Sequence, residues 1–365
     1  MDVRGKKSKA QRHQASQEAG TYLSEGRYGC VYLPPLDCKA NTTKELKKYN
    51  GKAVGKLTSI SEATQSVNAS IVLRGIPNAD NYFILINSIC EPKESKEMND
   101  CEPIRNENEV AQISMAYGGI TLEDVRQKHL NSLTRNFMGY MGHILEAGVY
   151  LLMNNLVHFD LHRKNIVVQN FPRIIDLGFI WSPTNLNNSN FRSQLRSYNP
   201  LITQESPEAS YVNGRLPPYS FNKELLTSDI IQRKPSCKIL EYICGVSLES
   251  QEKTFEKFLN NSIVIEKEDA VEFFKIYWTK FDAWGFGTII GHILYDCMFD
   301  TSFVNNIYKP NKVAINTVLK GLLNSDPVLR LDAIEALQIW NPKSHLLKEP
   351  TIISWISKQS SYRLS

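Results

Sequence analysis

Several signals that usually fix a protein's class early are missing from this chain. It holds no apolar run of the length a membrane span requires, and its polar opening residues predict no signal peptide. Its seven cysteines (positions 30, 38, 90, 101, 237, 244 and 297) never fall in a C-x-x-C pair, and their number is odd. That usage predicts free thiols in a reducing compartment, where the N-x-S/T triplets at Asn41 and Asn68 carry no weight. Lys and Arg are spread out rather than clustered, with a net charge of +4 and a pI near 8.5, so no nucleic-acid footprint is expected. Internal repeats and low-complexity tracts are absent as well.

What is present is ordinary for a globular chain: 365 residues, 42% apolar and 22% charged. That length suits one large two-lobed domain or two smaller ones. The densest basic stretch, "MDVRGKKSKAQRHQ", lacks hydrophobic periodicity. It predicts a solvated, disordered tail over residues 1–19, ahead of a localisation or anion-binding role.

From residue 20 to 117 the pattern is strand-like. "YGCVYL", "KAVGKLT", "YFILI" and "VAQISMAY" are short runs rich in β-branched and aromatic residues, separated by two long polar connections. After "YGGIT" helices take over. "TLED" predicts a capping box with Thr121 as N-cap. "RNFMGYMGHILEAGVYLLMNN" carries apolar residues at helical spacing, and "KIYWTKFDAWGFGTIIGHILYDCMF" is apolar nearly all round, as a central helix is. The expected fold class is α+β: a β-rich N-lobe (20–117), a glycine-containing hinge and a helical C-lobe (118–365), with a cleft between lobes as the natural ligand site.

The most informative segment is "HFDLHRKNIVVQNFPRIIDLG", 158–178. "IVV" and "RIID" predict two short strands with turn residues "QNFP" between them. In such a hairpin Asn165, before the first strand, and Asp176, at the end of the second, come back together. Two hard oxygen donors suit Mg²⁺ held jointly with substrate phosphates. Asp160 lies five residues before Asn165, placed to accept a hydroxyl proton at the same phosphate. Each residue alone is more simply a turn or cap residue; the combined spacing H-x-D-x(4)-N-x(10)-D-x-G is far more specific. It resembles the catalytic loop and metal motif of protein kinases, which usually read H-R-D-L-K-x-x-N and D-F-G.

Further motifs similar to that family's follow in its order. "LSEGRYGCVY" is similar to the glycine-rich loop, with Gly26 and Gly29 at its second and third glycines and Ser24 at the first. Val31 would pack on adenine. "VGKL" supplies Lys56 for the phosphates. In "ISMAYGGITL", Met115 would be the gatekeeper, and Ala116 and Gly118 would offer backbone hydrogen bonds. "SPE" (206–208) resembles A-P-E, "FDAWGFG" resembles D-x-W-x-x-G with Asp282 holding the loop backbone, and "DPVLRLDAIEAL" supplies Arg330 to pair with Glu208. His158 is expected to be structural.

The resemblance thus implies a bilobal protein-kinase-like fold, ATP and Mg²⁺ as cofactors, and phosphoryl transfer to Ser or Thr of a protein substrate. Charge and hydropathy add the expectation of no specific nucleic acid and no membrane; a monomer is expected, in the cytoplasm (host cytoplasm or virion for a viral protein), with the nucleus left open. The alternatives are a pseudokinase that binds nucleotide or a partner, and a small-molecule kinase, against which the "SPE", D-x-W and late arginine motifs speak.

Four departures stand out. His162 replaces the catalytic-loop lysine, leaving Lys164, or Arg163, to supply positive charge. Phe159 replaces the loop arginine, so no loop phosphate is expected to be needed. The helix after Lys56 offers only Glu62 as an acidic partner, with Gln65 or Asn68 as weaker ones. Finally, Glu208 and Asp282 lie 74 positions apart, which implies an insertion over about 215–275 forming extra helices. With "YGCVYLPPL" and "YGGITLE", this looks like the divergent protein kinases of large DNA viruses.

Overall fold

The computed structural model describes residues 20–26, 28–40, 52–187, 191, 195–216, 219 and 221–363. The tail expected at 1–19 and Arg27 of the glycine turn lie outside them. The chain forms two compact units, residues 1–63 with 87–117, and residues 64–86 with 118–365. Among the described residues no helix is long and apolar enough to cross a membrane.

The first unit carries a five-stranded sheet in the order β1-β2-β3-β5-β4. Its strands are β1 (Thr21–Gly26), β2 (Gly29–Leu33), β3 (Ala53–Ser59), β4 (Ile86–Cys90) and β5 (Val110–Ala116). Cys30 and Leu57 are opposed partners in β2 and β3, and with Tyr32, Leu36, Cys101 and Ile104 they form a small buried core on one face. Gln112 closes that face against Leu36: its Oε1 accepts from the Leu36 N–H and its Nε2 donates to the Leu36 carbonyl, both at 2.8 Å.

Two disulfides cross this unit, Cys30–Cys101 and Cys38–Cys90, each with its Cα atoms 6.0 Å apart. They overturn the expectation of seven free thiols. Odd number and missing C-x-x-C pairs say nothing about partners 71 and 52 residues away that the sheet and its polar connections bring together. The cysteines that stay free are Cys237, Cys244 and Cys297. The premise of a reducing compartment, and with it the argument for the cytoplasm, loses its ground.

A second expectation shifts in register. "YFILI" does not form one strand: β4 begins only at Ile86. Tyr82, Phe83 and Ile84 are buried instead by pairing along Ile174, with backbone bonds Ile84 N–H to Ile174 O (2.9 Å) and Ile174 N–H to Tyr82 O (2.8 Å). The apolar run signals burial, but not which neighbour supplies it.

The second unit is mainly helical. Thr121 caps α2 (Leu122–Lys128) by accepting from the Asp124 N–H, and α3 (Leu130–Met153) follows. Counting α1 (Ile60–Arg74) before them, the later helices include α4 (Pro207–Arg215), α5 (Lys223–Arg233), α6 (Pro235–Cys244), α7 (Leu248–Asn261), α8 (Ala270–Cys297), α9 (Lys309–Leu322), α10 (Ala333–Trp340) and α11 (Pro350–Arg363). Helix α8 is central. Phe274, Trp284, Phe286, Ile290 and Leu294 are all fully buried along it, pointing in several directions. Helices α5, α6 and α7 fill the inserted stretch and join the same core through Ile230, Leu240 and Phe255. A three-stranded sheet of β6 (Ile120–Thr121), β7 (Ile166–Val168) and β8 (Pro172–Ile174) carries the predicted hairpin.

Candidate functional site

In the second unit the hairpin places its polar residues as follows. Ile166 faces Ile174 across β7 and β8, and one step further out the Ile175 N–H donates to the Asn165 carbonyl at 2.9 Å. Asn165 and Asp176 therefore leave the sheet at the same end. Asp176 takes the left-handed conformation, φ 62°, an uncommon setting for a non-glycine residue that costs about 1–3 kcal/mol and tends to mark functional positions.

Asp160 sits against Asn165. The Asn165 amide nitrogen donates to both the Asp160 carbonyl and its Oδ2, each at 3.0 Å. That commits the nitrogen and leaves Oδ1 of the amide as the acceptor. With the Asp176 carboxylate this is an all-oxygen donor pair, a set that fits a hard cation such as Mg²⁺. Among the described residues no group of three or more His, Cys, Asp or Glu side chains converges, so such a cation would draw its remaining donors from a ligand or water.

The loop that carries Asp160 is held from beneath. Asp282, on α8, accepts the His158 N–H at 2.6 Å and the Phe159 N–H at 2.8 Å. Phe159 is left-handed, φ 63°, and these two bonds hold it so. Desolvation raises the Asp282 carboxyl, while the neighbouring His158 ring and the two N–H groups work against the rise. One turn on, Gly285 has no Cβ, and one built there would lie 2.9 Å from the Leu161 side chain. Loop and helix touch because that position is glycine. His158 is fully buried. Its Nδ1 accepts from the Asp160 N–H (3.3 Å), which places its proton on Nε2, 3.1 Å from the Ile175 carbonyl. The ring ties the loop to the strand end that bears Asp176.

The position of Phe159 is set by packing. Its ring lies among Trp181, Phe274 and Phe281, with centroids 5.6 to 6.1 Å away. Phe159 is part of the buried core.

Around the Asp160 carboxylate the structure assembles two donors that the sequence did not point to, Arg196 and Gln204, beside His162, which it did. Arg196 Nη2 donates to Oδ1 at 2.9 Å and to the Phe159 carbonyl at 3.1 Å. Gln204 Nε2 donates to the same Oδ1 at 2.8 Å. His162 Nδ1 accepts from the Lys164 N–H, so its Nε2 carries the proton and faces Oδ2 at 3.5 Å. Burial pushes the Asp160 carboxyl up, but His162, Arg196 and Gln204 prevail and hold it well below the usual carboxylate range. Lys164 is exposed, and its ammonium makes no hydrogen bond to Asp160 among the described residues. Arg163 turns to Glu123 (3.0 Å) and Asp296 (3.8 Å).

Residues 200–205, which deliver Gln204, are clamped by the inserted helices and α8. Lys234 is fully buried and donates to the carbonyls of Ile202 (3.2 Å) and Glu205 (3.0 Å) and to Ser210 Oγ (3.1 Å). The Thr203 carbonyl accepts from Trp284 Nε1 and Thr288 Oγ1, at 3.0 and 3.1 Å. Glu208, at the start of α4, pairs with Arg330 in a fully buried bidentate contact.

The expected nucleotide-binding residues divide between the units. In the first, Ser24 pairs with Val31, Val31 with Lys56, and Val54 with Met115. Opposed residues share a face, as do Val54 and Lys56 two apart. Ser24, Val31, Lys56 and Met115 thus lie on the face opposite the Cys30–Leu57 core. Ala116 pairs with Ala53 and points to the other side. Gly26 pairs with Gly29 at the turn. Gly29 has φ +155°, and a Cβ there would fall 1.8 Å from the Leu57 carbonyl oxygen, so only glycine fits. Glu62 lies in the first turn of α1, while Gln65 and Asn68 are exposed on that helix. Gly118 opens the second unit's continuation.

Comparison with known proteins finds no matching family model and no matching curated protein.

Proposed function

We propose that the chain is an ATP-dependent protein kinase that transfers the γ-phosphoryl group to Ser or Thr hydroxyls of a protein substrate. The observation that carries this reading is the joint placement of Asp160, Asn165 and Asp176. Asp160 and Asn165 lie on a loop fixed by Asp282 through two N–H bonds, and Asp176 follows the second strand of the hairpin at the same end. Phosphoryl transfer needs little covalent chemistry from the protein; positioned charge and oriented reactants do most of it.

In this reading Asp160 orients the acceptor hydroxyl. Asn165 and Asp176 would hold Mg²⁺, which supplies charge neutralisation for the phosphates when bound. Lys56 pairs with the α- and β-phosphates, and the Gly26–Gly29 turn offers backbone N–H groups to them. His158, Asp282, Glu208 and Arg330 are supports.

A second reading is a pseudokinase. It is favoured by one observation: both oxygens of Asp160 are already engaged by internal donors. Purified protein incubated with labelled ATP, Mg²⁺, generic protein substrates and small hydroxyl compounds separates the readings, with Asp160→Asn alongside. Label in protein that the variant loses supports the kinase. Nucleotide binding without transfer supports the pseudokinase. Label only in small molecules points to a small-molecule kinase.

A further inference from the structure

The Asp160 carboxylate is contacted unequally. Oδ1 accepts two short bonds, from Arg196 (2.9 Å) and Gln204 (2.8 Å). Oδ2 accepts one from Asn165 at 3.0 Å and lies 3.5 Å from His162 Nε2. An ionised carboxylate has about four lone-pair sites, and by distance the His162 contact is the weakest of the four.

Arg196 is itself fixed. Its guanidinium lies over the rings of Phe159 and Phe179, 5.3 and 5.4 Å from their centroids, and its Nη2 also holds the Phe159 carbonyl. It is 14% exposed at the side chain. A flat, delocalised cation sandwiched this way keeps one geometry, which a flexible ammonium would not. It comes from the stretch before residues 200–205, which Lys234, Trp284 and Thr288 anchor.

We propose that Arg196 is a positioning residue for phosphoryl transfer: with Gln204 it anchors Oδ1 of Asp160 and leaves Oδ2 as the oxygen that receives the acceptor hydroxyl. This rests on the kinase reading above. The fixed positive charge beside the reacting centre then comes from position 196, not from Lys164, and His162 is the donor that yields when the hydroxyl arrives. In the transfer step the hydroxyl oxygen forms the new bond to the γ-phosphorus. The bond from that phosphorus to the bridging oxygen breaks, its electron pair leaving on ADP, and the hydroxyl proton passes to Oδ2.

The test compares wild type with Arg196→Met, which keeps the stem over the rings and removes the charge, and with Arg196→Lys, Gln204→Leu and Lys164→Ala. Steady-state kcat, KM for ATP and thermal midpoint are measured for each. Arg196→Met is expected to lower kcat about 100-fold, the scale of losing one oriented electrostatic group, with KM for ATP within about twofold. Arg196→Lys should regain about tenfold of that loss, and Lys164→Ala should lose less than Arg196→Met. If Arg196→Met does not fold, Gln204→Leu decides, with an expected fall in kcat of about tenfold at unchanged KM. Undiminished or increased kcat in the folded Arg196→Met, or in Gln204→Leu when that variant decides, overturns the inference while the kinase reading stands. A wild type that transfers no label overturns both.

Discussion

Arg330 grips Glu208 with two hydrogen bonds, of 2.6 and 2.8 Å, and neither side chain is exposed. The same guanidinium donates to the carbonyls of Asn324 and Lys280, at 2.9 and 3.0 Å, and lies 5.1 Å from the centre of the Trp284 ring. Its planar fork is used on every side. Arg330→Met leaves Glu208 charged and unpaired in the core, which costs about 3–5 kcal/mol. Urea denaturation should show a loss of that size, with Arg330→Lys recovering only a small part because an ammonium has no fork. A loss below about 1 kcal/mol would place the pair in a wetter setting than its burial indicates.

Asp282 accepts its two bonds on different oxygens, and an amide would turn one of them into an NH2 group facing an N–H. Asp282→Asn should release Phe159 from its left-handed conformation and move Asp160. In the kinase reading, transfer falls about 100-fold, as for other losses of preorganisation, while the thermal midpoint drops by only a few degrees. Equal transfer in wild type and variant would show that the loop holds its shape without this support.

The disulfides are countable. Iodoacetamide in denaturant should modify Cys237, Cys244 and Cys297 before reduction and all seven cysteines after it. The Cys30–Cys101 bond closes a separation of 71 residues, worth about 4 kcal/mol in a chain-entropy account. Reduction should therefore raise amide exchange across β2 and β3. Seven modified cysteines before reduction would rule the bonds out.

His292, on α8, is pushed down to about 4 by its burial, helped by the charge of Arg163. Its folded value lies below the ordinary imidazole value of 6.5, so protonation favours the unfolded chain. This contribution is complete above pH 6.5 and is lost as the pH falls through 4, by about 3 kcal/mol in all. Urea midpoints at pH 7.5 and 4.5 should differ more for wild type than for His292→Gln, which does not titrate. Parallel pH dependence in the two proteins would assign the acid sensitivity elsewhere.

The hairpin was legible in the sequence because its information is local. Turn residues, two β-branched runs and the spacing of Asn165 and Asp176 are within reach of pattern reading. Thr121 as N-cap and the apolar girth of α8 were legible for the same reason. Arg196 and Gln204 were not: they lie 36 and 44 residues from Asp160, in a stretch without period, and the anchoring of residues 200–205 by Lys234, Trp284 and Thr288 is a tertiary feature. Lys234 reads as an ordinary surface lysine until its carbonyl cage is seen. The cysteine pairing failed likewise, since two pairs nested 71 and 52 residues apart leave no local trace.

The period of two in β2 has a consequence for errors in alignment. Cys30 and Val31 are adjacent, so a slip of one residue against β3 would turn Val31 toward the small core and Cys30 away from it. The Cys30–Cys101 bond is incompatible with that displaced pairing. Once closed, it excludes the misaligned sheet, and it thereby keeps Val31 on the face that carries Lys56.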